Sequence, residues 1–230
     1  MYAPESPYKV IDQDEWWGDS WDAMEYGRDF DFNRPYFEQL HELSSDVPHS
    51  SLYTINVENS YYTNFSLNTK NGYLLFGTGD SEDCLYGNFV VSSKDCVDCS
   101  SIYNCELCYQ TICSENCYNS MFLSNCRNCS DSIMLEDCTS CTNCILCFGL
   151  YKKEYHFLNE YVGKEAFEKY KEDLKNLSHA NIAWLRQKLA ELKKDLPHRA
   201  SHIYASEDCS GDLIFNSKNC QHSFDIKGSE

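Results

Sequence analysis

A chain of 230 residues that is 42% hydrophobic, 24% charged and carries a formal net charge of −17 can bury one large core or two small ones and is not a disordered tail. No run approaches the roughly 18 to 20 apolar residues of a membrane helix, and the opening MYAPESPYKVIDQDEWW lacks a basic segment followed by an apolar one, so a soluble, cytoplasmic protein is expected. The acidic surplus repels phosphate backbones and argues against direct nucleic-acid binding.

Residues 1–58 open the chain with an aromatic, acidic segment. Residues 1–50 hold 12 acids against 3 bases, and WWGDSWDAMEYGRDFDFNRPYFEQLHEL sets Trp16, Trp17, Trp21, Phe30, Phe32, Tyr36 and Phe37 among them. Within it RPYFEQLHEL predicts a short helix with proline near its start. The simplest role is a cap over the open end of the repeat that begins at 59, because an uncovered β edge invites aggregation. A partner-binding surface is the sharper alternative.

Residues 59–150 repeat. Cys84, Cys105, Cys126 and Cys147 recur at a constant step of 21, and Cys96, Cys117 and Cys138 form a second series that divides each row into 12 and 9. Three positions later stand Gly87, Cys108, Cys129 and Cys99, Ser120, Cys141, all small; the preceding residue is Asn or Asp at 83, 95, 104, 116, 125 and 137. Upstream, Asn59-Ser60 and Asn71-Gly72 keep a step of 12 into Asp83-Cys84 without cysteine, so size counts for more than sulfur there. Asn and Asp tolerate the left-handed backbone of a tight corner, and small side chains fit inside it. A short fixed period is the signature of a solenoid, whose strands, about 4.8 Å apart, turn each column into a ladder. The expectation is a mainly β chain with a parallel β-solenoid of about 21 residues per coil. Cys84, Cys105, Cys126 and Cys147 would share one inward ladder, with Val91, Ile112 and Ile133 in an inward apolar column and Ile102 and Leu123 in another.

Residues 151–205 break the pattern. Tyr155, Phe157 and Leu158 predict a last strand; Phe167, Tyr170 and Leu174 a helix at about 164–174; and Ile182, Leu185, Leu189 and Leu192, stopped by Pro197, a second at about 179–195. The two form an inserted helical hairpin beside the solenoid. At 206–230 the repeat resumes, with Asp208-Cys209 and Asn219-Cys220 spaced 11 apart.

The succession of the Trp-rich stretch, the NC and DC rows, LYKKEYHFLNEYVGKEAFEKY and SEDCSGDLIFNSKNC resembles a Cys-rich repeat family found among predicted proteins of uncultured, candidate-phylum bacteria. The resemblance covers almost the whole chain and implies a fold and no activity. Members look longer, with a zinc-finger-like segment before the Trp-rich stretch and further NC rows after the last block, which implies that this chain is a fragment.

The 15 cysteines admit three states. An odd number in a reducing compartment disfavours complete disulfide pairing. Two CxxC corners, Cys105 with Cys108 and Cys126 with Cys129, could bring four thiolates to a structural zinc. The run Cys138, Cys141, Cys144 and Cys147 has a spacing similar to iron–sulfur ligation. A Cys repeat generates such pairs whether or not metal binds, and Ser60, Gly72, Gly87 and Ser120 occupy the same columns, so a ladder of buried, reduced thiols is the leading reading and metal binding the alternative.

For catalysis, His41, His49, His156, His179, His198, His202 and His222 are scattered, and no nucleophile-elbow, phosphate-loop or zinc-protease motif is present. Asp80, Glu82 and Asp83 form a dense acidic group best read as an exposed turn. The sequence therefore predicts a non-enzymatic scaffold without cofactor that holds a protein partner or other copies of itself. The candidate surfaces are the segment around Trp16, Trp17 and Trp21 and the basic helical hairpin around Lys188, Lys193 and Lys194, opposite in charge. An acidic solenoid that imitates DNA is a third, weaker reading.

Overall fold

A three-residue rule governs the backbone. From Asn56 to Leu158 the φ angle is positive at every third position, between 45° and 69°. L-residues pay roughly 1–2 kcal/mol to stand there; Asn and Asp, which tolerate it, recur at 56, 59, 68, 71, 80 and 83 and again at 116, 119, 125, 128 and 131. The next residue points inward and is buried, as at Leu75, Thr78, Ser81 and Cys84, and the one after points out. The structure, a computed structural model, describes every residue except 1, 4 and 176. It divides into two compact units, residues 1–185 and 186–230.

The first unit is mainly parallel β. One six-stranded sheet contains β3 (Thr54–Ile55), β4 (Asn64–Lys70), β5 (Tyr73–Glu82), β6 (Leu85–Val91), β7 (Ser100–Tyr103) and β9 (Ile112–Glu115); a second contains β8 (Glu106–Tyr109), β10 (Tyr118–Met121), β11 (Ile133–Glu136), β12 (Thr142–Phe148), β13 (Glu154–Phe157) and an antiparallel β14 (Glu160–Tyr161). The register advances by 12 throughout: Ser66 pairs with Thr78, Val90 with Ile102 and Leu135 with Cys147.

This corrects the period of 21. Twenty-one is a multiple of three, so it preserves the inward phase, yet it is not a multiple of 12. Cys84, Cys105, Cys126 and Cys147 therefore stand in four different inward ladders, and their ladder neighbours lie 12 away. Val91 and Ile112 point outward, Ile112 being half exposed, because they belong to the phase after the inward one; Ile133 shares that outward phase and is buried from the other side. Ile102 and Leu123 do point inward, on different ladders.

The phase also determines the hydrogen bonding. An outward N–H donates to the inward carbonyl of the next row (Leu85 N to Cys96 O, 2.9 Å), and a left-handed N–H to the outward carbonyl of the row before (Asp95 N to Glu82 O, 3.1 Å). At several rows the inward N–H meets the γ atom of the residue 12 earlier, as Gly72 N does Ser60 Oγ, Cys105 N Ser93 Oγ, Cys126 N Ser114 Oγ and Cys144 N Ser132 Oγ, at 2.7–3.2 Å, whereas Ser66 N and Ile214 N reach the carbonyls of Tyr53 and His202. Buried amides need acceptors, which gives Ser, Thr and Cys a use at the inner positions that they share with Leu75, Val90, Ile102, Leu123 and Leu135.

Both ends of this stack are closed by a side-chain amide that imitates a strand. At the start, Gln13 accepts from Thr54 N (2.7 Å) and donates to Thr54 O (2.8 Å); at the other end Asn159 does the same to Phe148 N and O, both at 2.9 Å. Before Thr54 lie β1 (Val10–Ile11), which pairs with β2 (His49–Ser50), α1 (Gln13–Trp16), a 3-10 turn at Ala23–Tyr26 and α2 (Tyr36–Asp46). After β14, α3 (Lys164–Asp173) packs on β12 and β13. Phe167 is fully buried beside Tyr155, and Tyr170 stacks on Phe157 at 4.2 Å. Under this cover Ile145, Leu146 and Phe148 are buried on the outer side of their strand, as are Ile133 and Met134 of β11.

The helix α4 (His179–Lys193) carries the chain into the second unit. That unit holds a parallel sheet of β15 (Ile203–Tyr204), β16 (Gly211–Phe215) and β17 (Ser223–Lys227). Ile203 pairs with Ile214, a step of 11, whereas Gly211 pairs with Ser223, a step of 12. Gly211 absorbs the missing residue: its φ is +132°, and a Cβ there would collide with Ser223 O.

Candidate functional site

The thiols form the interior. Twelve of the 15 cysteines are buried, and Cys113, Cys209 and Cys220 are half-buried. Each inner thiol donates to the carbonyl two positions before it or nine after it, as Cys84 does to Glu82 O (3.3 Å) and Ser93 O (3.5 Å). Of the residues singled out for metal, Cys105 is the ladder neighbour of Cys117, Cys129 and Cys141 continue that ladder, Cys108 lies between Cys96 and Ser120, and Cys126 lies beside Cys138. Cys138, Cys141, Cys144 and Cys147 occupy four successive inward positions of one row. Among the described residues, however, no group of three or more Cys, His, Asp or Glu side chains is disposed to hold a metal ion.

Neighbouring thiols tune one another. Hydrogen bonds from Cys108 and Cys117 hold Cys105 below the usual thiol range, while the same bonds, reinforced by burial, push Cys108 and Cys117 above it. Cys126, with no exposure, is pushed up by burial first and then by its bonds with Cys129 and Cys138. His156 is the ladder neighbour of Cys144, a pairing that could suggest a nucleophile and its base. There the thiol is pushed up by hydrogen bonds with Cys141 and Cys147 and by burial, which works against its ionisation, and His156 Nδ1 lies 2.7 Å from Glu154 O.

The acidic group disperses. Asp80 accepts from Asn68 (2.7 Å), Asp83 from Asn71 (2.8 Å) and Glu82 from Lys94 (3.3 Å), each in its own outer ladder, so the three carboxylates do not converge on a common substrate position.

The outer face carries a line of aromatics that the spacing of cysteines did not announce. Trp17 lies edge-on to Tyr53 at 6.2 Å, Tyr53 lies against Phe65 at 5.2 Å, and Phe89 lies over Gly77, where a Cβ would meet its ring at 2.9 Å. Tyr53, Phe65, Gly77 and Phe89 are 12 apart and form one ladder, left-handed from Phe65 onward. Trp17, Phe65 and Phe89 are 65%, 68% and 54% exposed. Beside this line Tyr62, Tyr73 and Tyr86 contact edge to face at 5.6 Å. Reading the aromatics at a step of 12 would have found it.

The three tryptophans of the first segment divide: Trp16 and Trp21 lie against each other at 4.6 Å with Trp21 Nε1 on Trp16 O, whereas Trp17 is exposed. Phe32, Phe37 and Met24 are also largely exposed, and α2 buries no residue. In the second unit Lys188 pairs with Glu191 at 2.8 Å. No helix among the described residues is long and apolar enough to cross a membrane.

No protein-family model matches the chain, and no curated protein matches it. Among solved structures it is similar, at 5% identity and a TM-score of 0.19, to a Bacillus cereus protein described as a "putative acetyltransferase"; the match covers 62% of this chain and 99% of that one. A likeness this slight carries no argument about fold or chemistry.

Proposed function

We propose that the chain is a non-enzymatic scaffold, a four-sided parallel β-solenoid that completes one turn per register step, whose outer aromatic ladder holds a protein partner. The observation that carries this reading is the exposed line Trp17, Tyr53, Phe65 and Phe89 on a backbone stapled row to row. Solenoids present long, flat surfaces of this kind, and aromatic rings in register supply large contact areas at little entropic loss. The interior supports the same reading, because its thiols are saturated by carbonyls and by one another.

The test is the double variant Phe65→Asn with Phe89→Asn. Both positions have left-handed φ, of 57° and 52°, which Asn prefers, so folding is retained. Association, measured as stoichiometric cross-linking to a defined partner and as self-association by light scattering, is expected to fall at least tenfold. Unchanged association in the folded variant rejects the surface, and turnover of a substrate by the wild-type chain rejects the scaffold. Binding of zinc or an iron–sulfur cluster by the inner cysteines is the competing proposal, and elemental analysis of the purified chain decides between them.

A further inference from the structure

Cys209 and Cys220 differ from the other stacked thiols. They occupy adjacent rows of the second unit, held in register on both sides: Glu207 bridges Lys218 and pairs with it at 3.2 Å, Ser210 N donates to Cys220 O at 2.9 Å, and Gln221 Nε2 donates to Asp208 O at 2.7 Å. Both thiols are half-buried, whereas the stacked pairs of the first unit, such as Cys84 with Cys96, are shielded from solvent. Neighbouring parallel strands stand about 4.8 Å apart, inside the roughly 4.4–6.8 Å between Cα atoms that a disulfide spans. The side chains already meet, since Cys220 is held above the usual thiol range by desolvation and by the Cys209 sulfur beside it.

We propose that Cys209 and Cys220 form a redox-sensitive dithiol that closes to a disulfide by exchange with a small disulfide of the glutathione type. One protein thiolate attacks the reagent, whose S–S bond breaks and releases the first small thiolate. The second cysteine then attacks the mixed disulfide, forming the protein S–S bond and releasing the second. Two electrons pass to the reagent, and the two thiol protons leave with its two products. Closure staples β16 to β17 through the rows that precede them. Cys113 provides an internal control, because it is also half-buried and the positions one row before and after it hold Ser101 and Asn125.

The full chain is equilibrated with mixtures of reduced and oxidised glutathione, quenched in acid, alkylated and mapped by mass spectrometry. The expected result is one disulfide joining Cys209 to Cys220 while the buried thiols remain alkylatable only after denaturation. In Cys220→Ser the expected product is a stable glutathione adduct on Cys209, and a lower yield of that adduct in wild type than in the variant reports resolution by Cys220. Persistent adducts on both cysteines of the wild-type chain, oxidation of the buried thiols at the same reagent ratio, or no reaction at either cysteine overturns the proposal.

Discussion

A serine and a cysteine are nearly equivalent inside this chain, and the reason is the inward N–H. At Cys105, Cys126 and Cys96 it takes the γ atom of the residue one row before, oxygen at Ser93 and Ser114 and sulfur where Cys96 N–H meets Cys84. Ser114→Ala is expected to leave the Cys126 N–H buried and unpaired, lowering stability by about 1–3 kcal/mol, whereas Ser114→Cys loses less; chemical denaturation of the two variants checks the order. Ionisation is the second consequence. Cys84 is pushed up by its hydrogen bond with Cys96 and then by burial, and Cys126 by burial. Below about pH 8.5, the ordinary thiol value, folded and unfolded chains both keep these protons and the stabilisation is complete. Above it the unfolded chain releases them and the folded chain does not, so stability falls as pH rises, by up to about 1.4 kcal/mol per thiol per pH unit. Thiols held low, such as Cys105, add stability only as pH climbs toward the ordinary value and add no further change beyond it. A melting temperature that stays flat between about pH 8 and 10 contradicts this account.

At the scale of elements, much was legible. The helices expected at about 164–174 and 179–195 are Lys164–Asp173 and His179–Lys193, because apolar spacing and Pro197 mark them locally. The short helix after Pro35 and the strand at Glu154–Phe157 were equally local. The register step was not legible from cysteine alone, since 12, 9 and 21 all preserve the three-residue phase and only pairing distinguishes them. The amides of Gln13 and Asn159 left no signal, because each acts on backbone far from it in sequence. Gly211 is the element-scale weakness of the second unit. Gly211→Ala is expected to destabilise it by about 4 kcal/mol or more, seen as loss of the β16–β17 amide protection while that of β4–β12 is unchanged; a folded, equally stable variant contradicts the close approach to Ser223 O.

For the whole molecule, the sequence reading of a mainly β chain with parallel rows and two added helices agrees with the structure, while the aromatic line at 53, 65 and 89 lay outside it because those residues stand in a different column from the cysteines, at a step of 12. Of the Trp cluster, Trp16 and Trp21 lie against each other while Trp17 is exposed. Burial is uneven along the first unit: β11 and β12 are covered on both faces, with Ile133, Ile145 and Leu146 buried outside and Leu135, Cys144 and Cys147 inside, whereas Leu67 and Phe76 on β4 and β5 are exposed outside. Amide hydrogen exchange is therefore expected to be slowest in β11 and β12. Faster exchange there than in β4 would contradict that ranking.

The three-residue phase also limits how the gene can change length. Losing or gaining one or two codons between 56 and 158 would turn every later inner residue to the outside. A change of three keeps inside and outside but slides every later residue onto a foreign ladder, separating the hydroxyl and thiol acceptors from their amides. Only a change of 12, one full register step, can be made without either fault, unless a glycine stands where Gly211 does, in the row of 11. A row of 12 is therefore the unit in which this part of the chain can lengthen or shorten, and the row of 11 closes only because Gly211 carries no Cβ.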